Sequence, residues 1–271
     1  MGRSLRQEVS PSMKAVLLAG GSGTRMREET EFRPKPMVEI GGRPVLWHLM
    51  ESISQHGIDD FIILAGYKSS IIKEYFLHLD AYSNDFRIAL DRPGEIDIIG
   101  TAKSSWKVTI LDTGLGTETG ARLHMAKNLL SSESFLCTYG DGLASVSIPE
   151  LFRSHRRAGT IGTLTVTRPT NRFGVVTMNR DGRVQEFHEK PRMNDHINIG
   201  FFVFEPEIFE LTGEDKSIET GLLKDLVRMG ELNAFEHDGF WEPMDTYREY
   251  MHLNALWESG EKPWLVKSVR Q

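Results

Sequence analysis

MKAVLLAGGSGTRMREETEFRPKPMVEIGG, residues 13–42, is the stretch that decides the fold and the predicted site. Its apolar start, residues 15–19, predicts a strand that ends in a glycine-rich loop at 20–25. Glycines let such a loop turn and bring its N–H groups close to an anion. Arg25 adds a rigid guanidinium, and Lys35 adds an ammonium on a backbone stiffened by prolines on both sides. Together these features predict a site for a polyphosphate.

Two other glycine-rich motifs do not fit this loop. A Walker A motif needs a lysine directly after its last glycine, and none follows here. A Rossmann dinucleotide fingerprint counted from Gly21 needs a glycine where the chain has Met26. A plain connecting turn would explain the glycines, but it would not explain the accompanying Arg25 and Lys35.

The composition is that of an ordinary globular protein. Its 271 residues are 39% hydrophobic and 26% charged, with a formal net charge of −6. An acidic protein is a poor partner for nucleic acid or an anionic membrane, so the phosphate site must be a local basic pocket. The single Cys137 excludes an internal disulfide and is typical of a reducing cytoplasm. No apolar run approaches the ~20 residues that span a bilayer.

Strands and helices alternate along the chain, which predicts one α/β domain at 13–271 with a parallel, right-handed sheet. Residues 1–12 are interpreted as a disordered leader or a remnant of cloning. Residues 86–112 have short polar and β-branched runs, including 96–99 and 107–111, and are interpreted as a β-ribbon excursion or an oligomer contact. Strands are predicted at 15–19, 60–65, 134–138, 161–167, 175–178, 183–187 and 197–204, and helices at 44–53, 69–79, 117–130, 148–158, 219–229 and 246–258.

Two carboxylates lie beside predicted secondary-structure elements, and the first of them stands where a metal could bind. Asp141 follows a predicted buried strand and lies between two glycines, which suits a Mg²⁺ ligand. The alternative interpretation is an ordinary Asp-Gly turn. Asp245 directly precedes the predicted helix at 246–258, where its side chain would also serve as an N-cap. Capping and metal binding do not exclude each other.

A series of short motifs resembles the sugar-1-phosphate nucleotidyltransferase family, and within it the glucose-1-phosphate cytidylyltransferases. The resemblance extends from residue 13 to about residue 264. It implies a Rossmann-like α/β fold with a mixed, mostly parallel central sheet flanked by helices. The motifs are GGSGTR at 20–25, RPKPMVEIGGRPVLWH at 33–48, GYK at 66–68, TGAR at 119–122, YGDG at 139–142, EKP at 189–191, NIGFF at 198–202 and FWEPMDT at 240–246.

The resemblance also implies the roles of individual residues. Asp141 and Asp245 would hold Mg²⁺, while the catalytic residues would be Arg25, Lys35, Asp141 and Lys190. Nucleotide binding would fall to Leu18, Ala19, Gly20, Gly21, Ser22, Gly23, Thr24, Arg25, Lys35, Thr117, Thr119, Gly120, Arg122 and Asp141. Sugar-phosphate binding would fall to Tyr139, Gly140, Glu189, Lys190, Asn198, Gly200 and Trp241. Without the resemblance, Glu189 and Lys190 would be interpreted as a solvated surface pair.

The implied reaction joins CTP and glucose 1-phosphate into CDP-glucose and pyrophosphate, for deoxysugar synthesis. A cytoplasmic homo-oligomer is expected, with no nucleic acid or membrane partner. Ala121 and Ile199 depart from the family pattern, so another nucleotide or sugar phosphate stays an open alternative. A catalytically silent regulatory subunit is another, although it would not need Lys35, Asp141, Lys190 or Asp245. A metal-dependent glycosyltransferase would typically carry Asp-x-Asp where this chain has Gly-Asp-Gly at 140–142.

Overall fold

The computed structural model describes residues 12–23, 26–92, 95–100 and 104–265. The predicted leader therefore lies outside the described residues except for Ser12, and so do Thr24 and Arg25 of the glycine loop. In the part of the chain that is described, every helix is too short or too polar to cross a bilayer.

Fifteen strands are present in the described ranges. They are β1 (Lys14–Ala19), β2 (Glu39–Ile40), β3 (Arg43–Pro44), β4 (Asp60–Ala65), β5 (Asp85–Ile88), β6 (Ile96–Ile99), β7 (Lys107–Asp112), β8 (Phe135–Tyr139), β9 (Gly142–Ala144), β10 (Gly162–Thr167), β11 (Val175–Met178), β12 (Val184–His188), β13 (Ile197–Phe204), β14 (Leu232–Glu236) and β15 (Trp241–Pro243).

The helices lie between these strands. They are α1 (Arg27–Thr30), α2 (Val45–Ser54), α3 (Ser69–Leu77), α4 (Leu79–Ser83), α5 (Thr119–Met125), α6 (Lys127–Leu130), α7 (Ile148–Ala158), α8 (Leu223–Met229) and α9 (Tyr247–Glu258). Short 3₁₀ turns are found at Lys35–Met37 and Pro206–Glu210, and a π-helical turn at Ile218–Leu222 precedes α8.

Seven strands form the central sheet, in the order β14-β10-β13-β8-β1-β4-β7. Only β13 among them runs antiparallel to its neighbours. This arrangement confirms the predicted mixed, mostly parallel sheet. The strand β1 lies between β4 and β8, both parallel to it, and Leu18 is in register with Leu64 and Tyr139. The loops that follow these three strands therefore meet at one edge of the sheet, where ligands bind in folds of this type.

Both faces of the sheet are covered, which explains why its central strands read as continuous apolar runs. Along β1, Ala15 and Leu17 face one hydrophobic cluster, whereas Val16 and Leu18 face the other. Residues of α2, α7 and α9 pack into the first cluster, and residues of α5, α6 and α8 pack into the second.

The prediction of a β-ribbon at residues 107–111 is wrong. These residues belong to β7, which pairs in parallel with β4 and forms one of the two edges of the central sheet. The β-ribbon excursion is formed by β5 and β6 alone. An edge strand is only partly covered, and the alternating exposure along β7 gives it the polar, β-branched pattern that suggested a ribbon.

A second excursion, residues 168–193, is here called the hairpin arm. Its strands β11 and β12 pair antiparallel as predicted, and every residue in both is exposed. Two backbone hydrogen bonds close its base, from Asn171 N to Pro191 O at 2.9 Å and from Met193 N to Pro169 O at 2.9 Å. The arm carries Glu189 and Lys190 directly before this closed base.

Candidate active site

A cavity of about 280 Å³ lies at the carboxyl ends of β1 and β8. The predicted nucleotide-binding and metal residues supply all of its lining except Pro36. The lining residues are Leu18, Ala19, Gly21, Gly23, Lys35, Pro36, Asp141 and Asp245. Ser22 lies in the same loop and is exposed. The structure thus brings the glycine loop, one cation and two carboxylates around one space.

Lys35 is the centre of this group. Its Nζ lies 2.7 Å from Asp141 Oδ2 and also donates to Asp245 Oδ1. The Lys35 side chain is only 9% exposed, and each carboxylate is about one third exposed. Burial by itself would lower the pKa of Lys35, but the two carboxylates outweigh burial and raise that pKa above its ordinary value. Lys35 is therefore a charged ammonium at neutral pH.

The pairing of two short strands brings the carboxylates together. β15 runs antiparallel to β9, with Pro243 opposite Gly142. Asp141 directly precedes β9, and its carbonyl accepts a hydrogen bond from Met244 N at 2.9 Å. Asp245 follows two residues after β15, so it is placed at the same end of the ribbon. Asp141 itself lies in the turn between β8 and β9, so the turn interpretation also fits.

The interpretation of Asp245 as the N-cap of α9 is wrong. Thr246 takes that place, and its side chain accepts from Glu249 N. Glu249 Oε2 in return accepts from Thr246 N at 2.9 Å, which completes a capping box. The carboxylate of Asp245 reaches Lys35 instead of capping the helix.

The donor set fits a hard divalent cation. Asp141 and Asp245 are close enough to share one cation, because both contact the same ammonium. Mg²⁺ usually takes one or two carboxylates and completes its shell with water and substrate phosphates. In the described ranges no group of three or more His, Cys, Asp or Glu side chains is placed to hold a metal. Asp141 and Asp245 therefore form a candidate two-carboxylate metal site, in which substrate phosphates could supply further ligands.

The glycine loop is supported from below by Arg122. This side chain is buried, and its guanidinium donates to Gly20 O at 3.2 Å and to Gly114 O at 2.9 Å. A Cβ at Gly20 would lie 2.2 Å from the guanidinium carbon, whereas a Cβ at Gly21 would meet nothing within 4 Å. Glycine at Gly20 thus permits close packing on Arg122, and Gly21 leaves space for a ligand. Arg122 positions the loop, and a direct contact with the nucleotide stays a prediction.

Glu219, which no sequence motif points to, contacts residues of both the predicted nucleotide site and the predicted sugar-phosphate site. Glu219 accepts hydrogen bonds from Tyr139 Oη, from Ser217 Oγ at 2.6 Å and from Thr119 Oγ1 at 3.0 Å. Burial would raise the pKa of Glu219, but these hydrogen bonds lower it below its ordinary value. A Cβ at Gly120 would lie 2.6 Å from Lys216 O. The 216–219 turn is therefore docked closely on the predicted nucleotide segment, and no motif in the sequence signals this contact.

Three of the predicted sugar-phosphate residues, Tyr139, Asn198 and Gly200, lie together. Gly200 has a positive φ of 82°, and a Cβ there would lie 2.3 Å from the Tyr139 ring. Asn198 Oδ1 accepts from Gly200 N at 2.9 Å, so Asn198, Gly200 and Tyr139 form one cluster. Gly140 N donates to Leu18 O at 3.0 Å, Trp241 lies in β15, and Thr117 Oγ1 donates to Thr113 O at 2.6 Å.

Lys190 and Glu189 lie on the hairpin arm. Their side chains are 61% and 63% exposed, with 3.9 Å between Lys190 Nζ and Glu189 Oε1. Lys190 has a positive φ of 47°, which is uncommon outside glycine and points to a constrained backbone. In this structure the two residues form the solvated pair that the sequence alone suggests. Contact of Lys190 with a sugar phosphate stays a prediction.

Known proteins similar to this chain are nucleotidyltransferases. The family model described as Nucleotidyl transferase matches residues 14–259. The glucose-1-phosphate cytidylyltransferases of Salmonella typhimurium and Salmonella typhi are 47% and 46% identical to this chain over 257 residues, covering 93% of this chain and 98% of each relative. The crystal structure of HddC from Yersinia pseudotuberculosis complexed with GMP-PN has a TM-score of 0.66 at 21% identity, covering 90% of this chain and 99% of that one. This structure shares the fold.

Proposed function

This chain belongs to the nucleotidyl transferase family, and on that premise we propose that it makes CDP-glucose and pyrophosphate from CTP and glucose 1-phosphate. The similarity to glucose-1-phosphate cytidylyltransferases over nearly the whole length supports this choice of substrates. The observation that carries the proposal is the Lys35 ammonium shared by Asp141 and Asp245 beside the glycine loop. A buried cation and two carboxylates around one cavity suit a triphosphate and its metal.

The chemistry needs positioning more than acid–base catalysis. A phosphate oxygen of the sugar 1-phosphate forms a bond to the α-phosphorus of CTP, and the bond from that phosphorus to pyrophosphate breaks. The phosphate monoester is already anionic at neutral pH, so no side chain has to remove a proton. The protein has to bring two anions together and stabilise the charge that gathers on the leaving group.

Each residue group has a part in this reaction. The N–H groups of the glycine loop and the Lys35 ammonium stabilise the triphosphate, and Arg25 is proposed to cover the pyrophosphate with them. Asp141 and Asp245 would hold Mg²⁺, which supplies charge neutralisation at the nucleotide phosphates when bound. Lys190 positions the attacking phosphate, and Glu189 and Asn198 contact the sugar, while Gly200 lets the Tyr139 ring pack closely beside them.

The two departures from the family pattern do not line the cavity described above. Ala121 is 4% exposed and Ile199 is 6% exposed, and Ile199 packs in the hydrophobic cluster on one face of the sheet. Ala121 N donates to Lys216 O at 2.9 Å, which fixes its backbone against the 216–219 turn. Buried side chains of this kind act on packing, which supports an unchanged choice of CTP and glucose 1-phosphate.

The proposal is tested by pyrophosphate release with Mg²⁺, using CTP, UTP, dTTP, GTP or ATP against several sugar 1-phosphates. We expect the strongest signal for CTP with glucose 1-phosphate. A stronger signal for another pair would support the proposed type of reaction but contradict the proposed substrates. Silence for every pair would contradict the proposal and favour a catalytically silent regulatory subunit.

Replacing Lys190 by Ala is expected to raise the KM for the sugar 1-phosphate by about tenfold to a hundredfold, because a charged hydrogen bond to phosphate is lost. The KM for CTP should change much less, since Lys190 is proposed to contact the other substrate. Initial rates at varied sugar 1-phosphate and saturating CTP measure this effect. Arg183→Ala, an exposed cation on the same arm, is the control and should behave as wild type. An unchanged KM in Lys190→Ala would remove Lys190 from the phosphate site.

Three further points complete the proposal. Mg²⁺ is the proposed metal, and removal by EDTA followed by addition of Mg²⁺, Mn²⁺ or Ca²⁺ tests it. A homo-oligomer is proposed, and sedimentation velocity measures it. The cytoplasm is the proposed location because a CTP-consuming enzyme needs access to the cytoplasmic nucleotide pool.

A further inference from the structure

Glu249 makes more contacts than a capping box requires. Its side chain is 9% exposed, and its two oxygens serve different elements. Oε2 accepts from Thr246 N, as in an ordinary capping box, and also from Asp245 N at 2.8 Å. Oε1 accepts from Arg172 Nη2 at 2.6 Å. One nearly buried carboxylate therefore holds the backbone of a proposed metal ligand and a cation from the hairpin arm.

Arg172 connects Glu249 to the proposed sugar-phosphate residues. It follows Asn171, whose N–H donates to Pro191 O at the closed base of the arm. An isolated β-bridge between Thr170 and Arg192 strengthens the same base. Pro191 directly follows Lys190 in the chain. A continuous path of bonds thus runs from Lys190 through the arm base and Arg172 to Glu249 and the Asp245 backbone.

Within the described part of the chain, the hairpin arm has few other contacts that could fix its position. Both strands of the hairpin are exposed, so the arm has little packing of its own against the body. Other ion pairs at its base, Arg168 with Glu236 and Arg192 with Asp238, lead to β14 and the residues just after it. The pair formed by Arg172 and Glu249 leads instead to the start of α9, next to Asp245.

We propose that the Arg172–Glu249 ion pair is a positioning pair, which holds the hairpin arm and its Lys190 in a fixed place relative to Asp245. This inference rests on the proposed function, because it assigns the pair to alignment of the sugar phosphate with the metal-bound nucleotide. Arg172 is 66% exposed, and exposed ion pairs contribute little to global stability. Loss of the pair should therefore alter alignment without unfolding the protein.

The first test compares Arg172→Met with Arg180→Met, which removes an exposed arginine from the turn of the same hairpin. We expect Arg172→Met to lower kcat/KM for the sugar 1-phosphate about tenfold, because small misplacements of a nucleophile are costly. The KM for CTP and the unfolding temperature should stay close to wild type, as should all values for Arg180→Met. Arg172→Lys should recover part of the loss. Equal behaviour of Arg172→Met and Arg180→Met would overturn the proposal.

A double variant tests whether the two residues act as one pair. Glu249→Gln should lower kcat/KM for the sugar 1-phosphate as Arg172→Met does, because the neutral amide no longer holds the guanidinium. If the residues act together, the double variant should lose no more than the worse single variant. If the two losses in kcat/KM multiply in the double variant, the residues act independently, and the proposal that they act as a pair is overturned.

Hydrogen exchange separates failure of this inference from failure of the proposed function. If the wild-type protein turns over no pair of substrates, the proposed function fails, but the positioning pair can still be measured. The amides of Asp245 and Thr246 donate to Glu249, so peptides spanning 244–249 and 169–174 should exchange faster in Arg172→Met than in Arg180→Met. Equal exchange in the two variants would overturn the inference whatever the activity.

Discussion

Replacing Asp141 by Asn is expected to lower kcat about a thousandfold or more, because the proposed metal ligand that stabilises phosphate charge is lost. An asparagine keeps the size of the side chain, but its amide oxygen is neutral and binds Mg²⁺ weakly. Lys35 retains its contact with Asp245 in this variant, so the buried ammonium still has a carboxylate partner. Pyrophosphate release at saturating CTP, glucose 1-phosphate and Mg²⁺ measures the effect.

Asp181→Asn is the matched control for this prediction. Asp181 is an exposed carboxylate in the turn of the hairpin arm, and it does not line the cavity that Asp141 lines. It should turn over as wild type does, and circular dichroism should show that both variants are folded. Activity of Asp141→Asn close to that of wild type would remove Asp141 from the metal site.

Replacing Lys35 by Met is expected to lower kcat/KM for CTP about a hundredfold to a thousandfold, because a charge beside the proposed triphosphate site is removed. Methionine keeps a long apolar stem in the space that the lysine fills. The pKa of Lys35 is raised above its ordinary 10.5, so the ammonium persists at neutral pH and is lost only as the pH rises through this higher value. The contribution of Lys35 should therefore be constant between pH 7 and pH 9, as measured by the ratio of wild-type to variant rates.

Thermal unfolding gives a second measure of Lys35→Met. Without the ammonium, Asp141 and Asp245 face each other as like charges, which favours a divalent cation between them. Mg²⁺ should then raise the unfolding temperature more in Lys35→Met than in wild type, where it competes with the ammonium. Lys127→Met, which removes an exposed lysine of α6, should respond as wild type does. No greater response in Lys35→Met would contradict a shared cation site.

Two kinds of element could be predicted from the sequence: strands that are buried on both faces, and helices with one apolar face. The bounds predicted for β4, β13 and α7 agree with the structure to the residue. The extent of long helices was predicted less accurately. The predicted helix at 117–130, for example, is divided at Ala126 into α5 and α6. The helix predicted at 219–229 begins as a π-helical turn, which periodicity cannot distinguish from an α-helix. β7 was missed as a sheet strand because an edge position leaves a weaker pattern.

The candidate site could be predicted only in part. The glycine loop, Lys35 and Asp141 stand out in short motifs, and the resemblance added Asp245. Glu219 and Arg172 carry no local signal of their roles. Their partners lie far away in the chain, since 80 residues separate Tyr139 from Glu219 and 77 separate Arg172 from Glu249.

By itself, the sequence determined the family and the order of most elements, and it predicted that the first loop binds phosphate, because periodicity, turn chemistry and motif spacing are local properties of the chain. Only the tertiary structure decided that one ammonium is shared between carboxylates 106 and 210 residues away from it. The pairing of β9 with β15 brings those carboxylates together, and Thr246 takes the capping position beside Asp245. Which distant loops meet depends on how the strands pack into one sheet, and no local pattern encodes that.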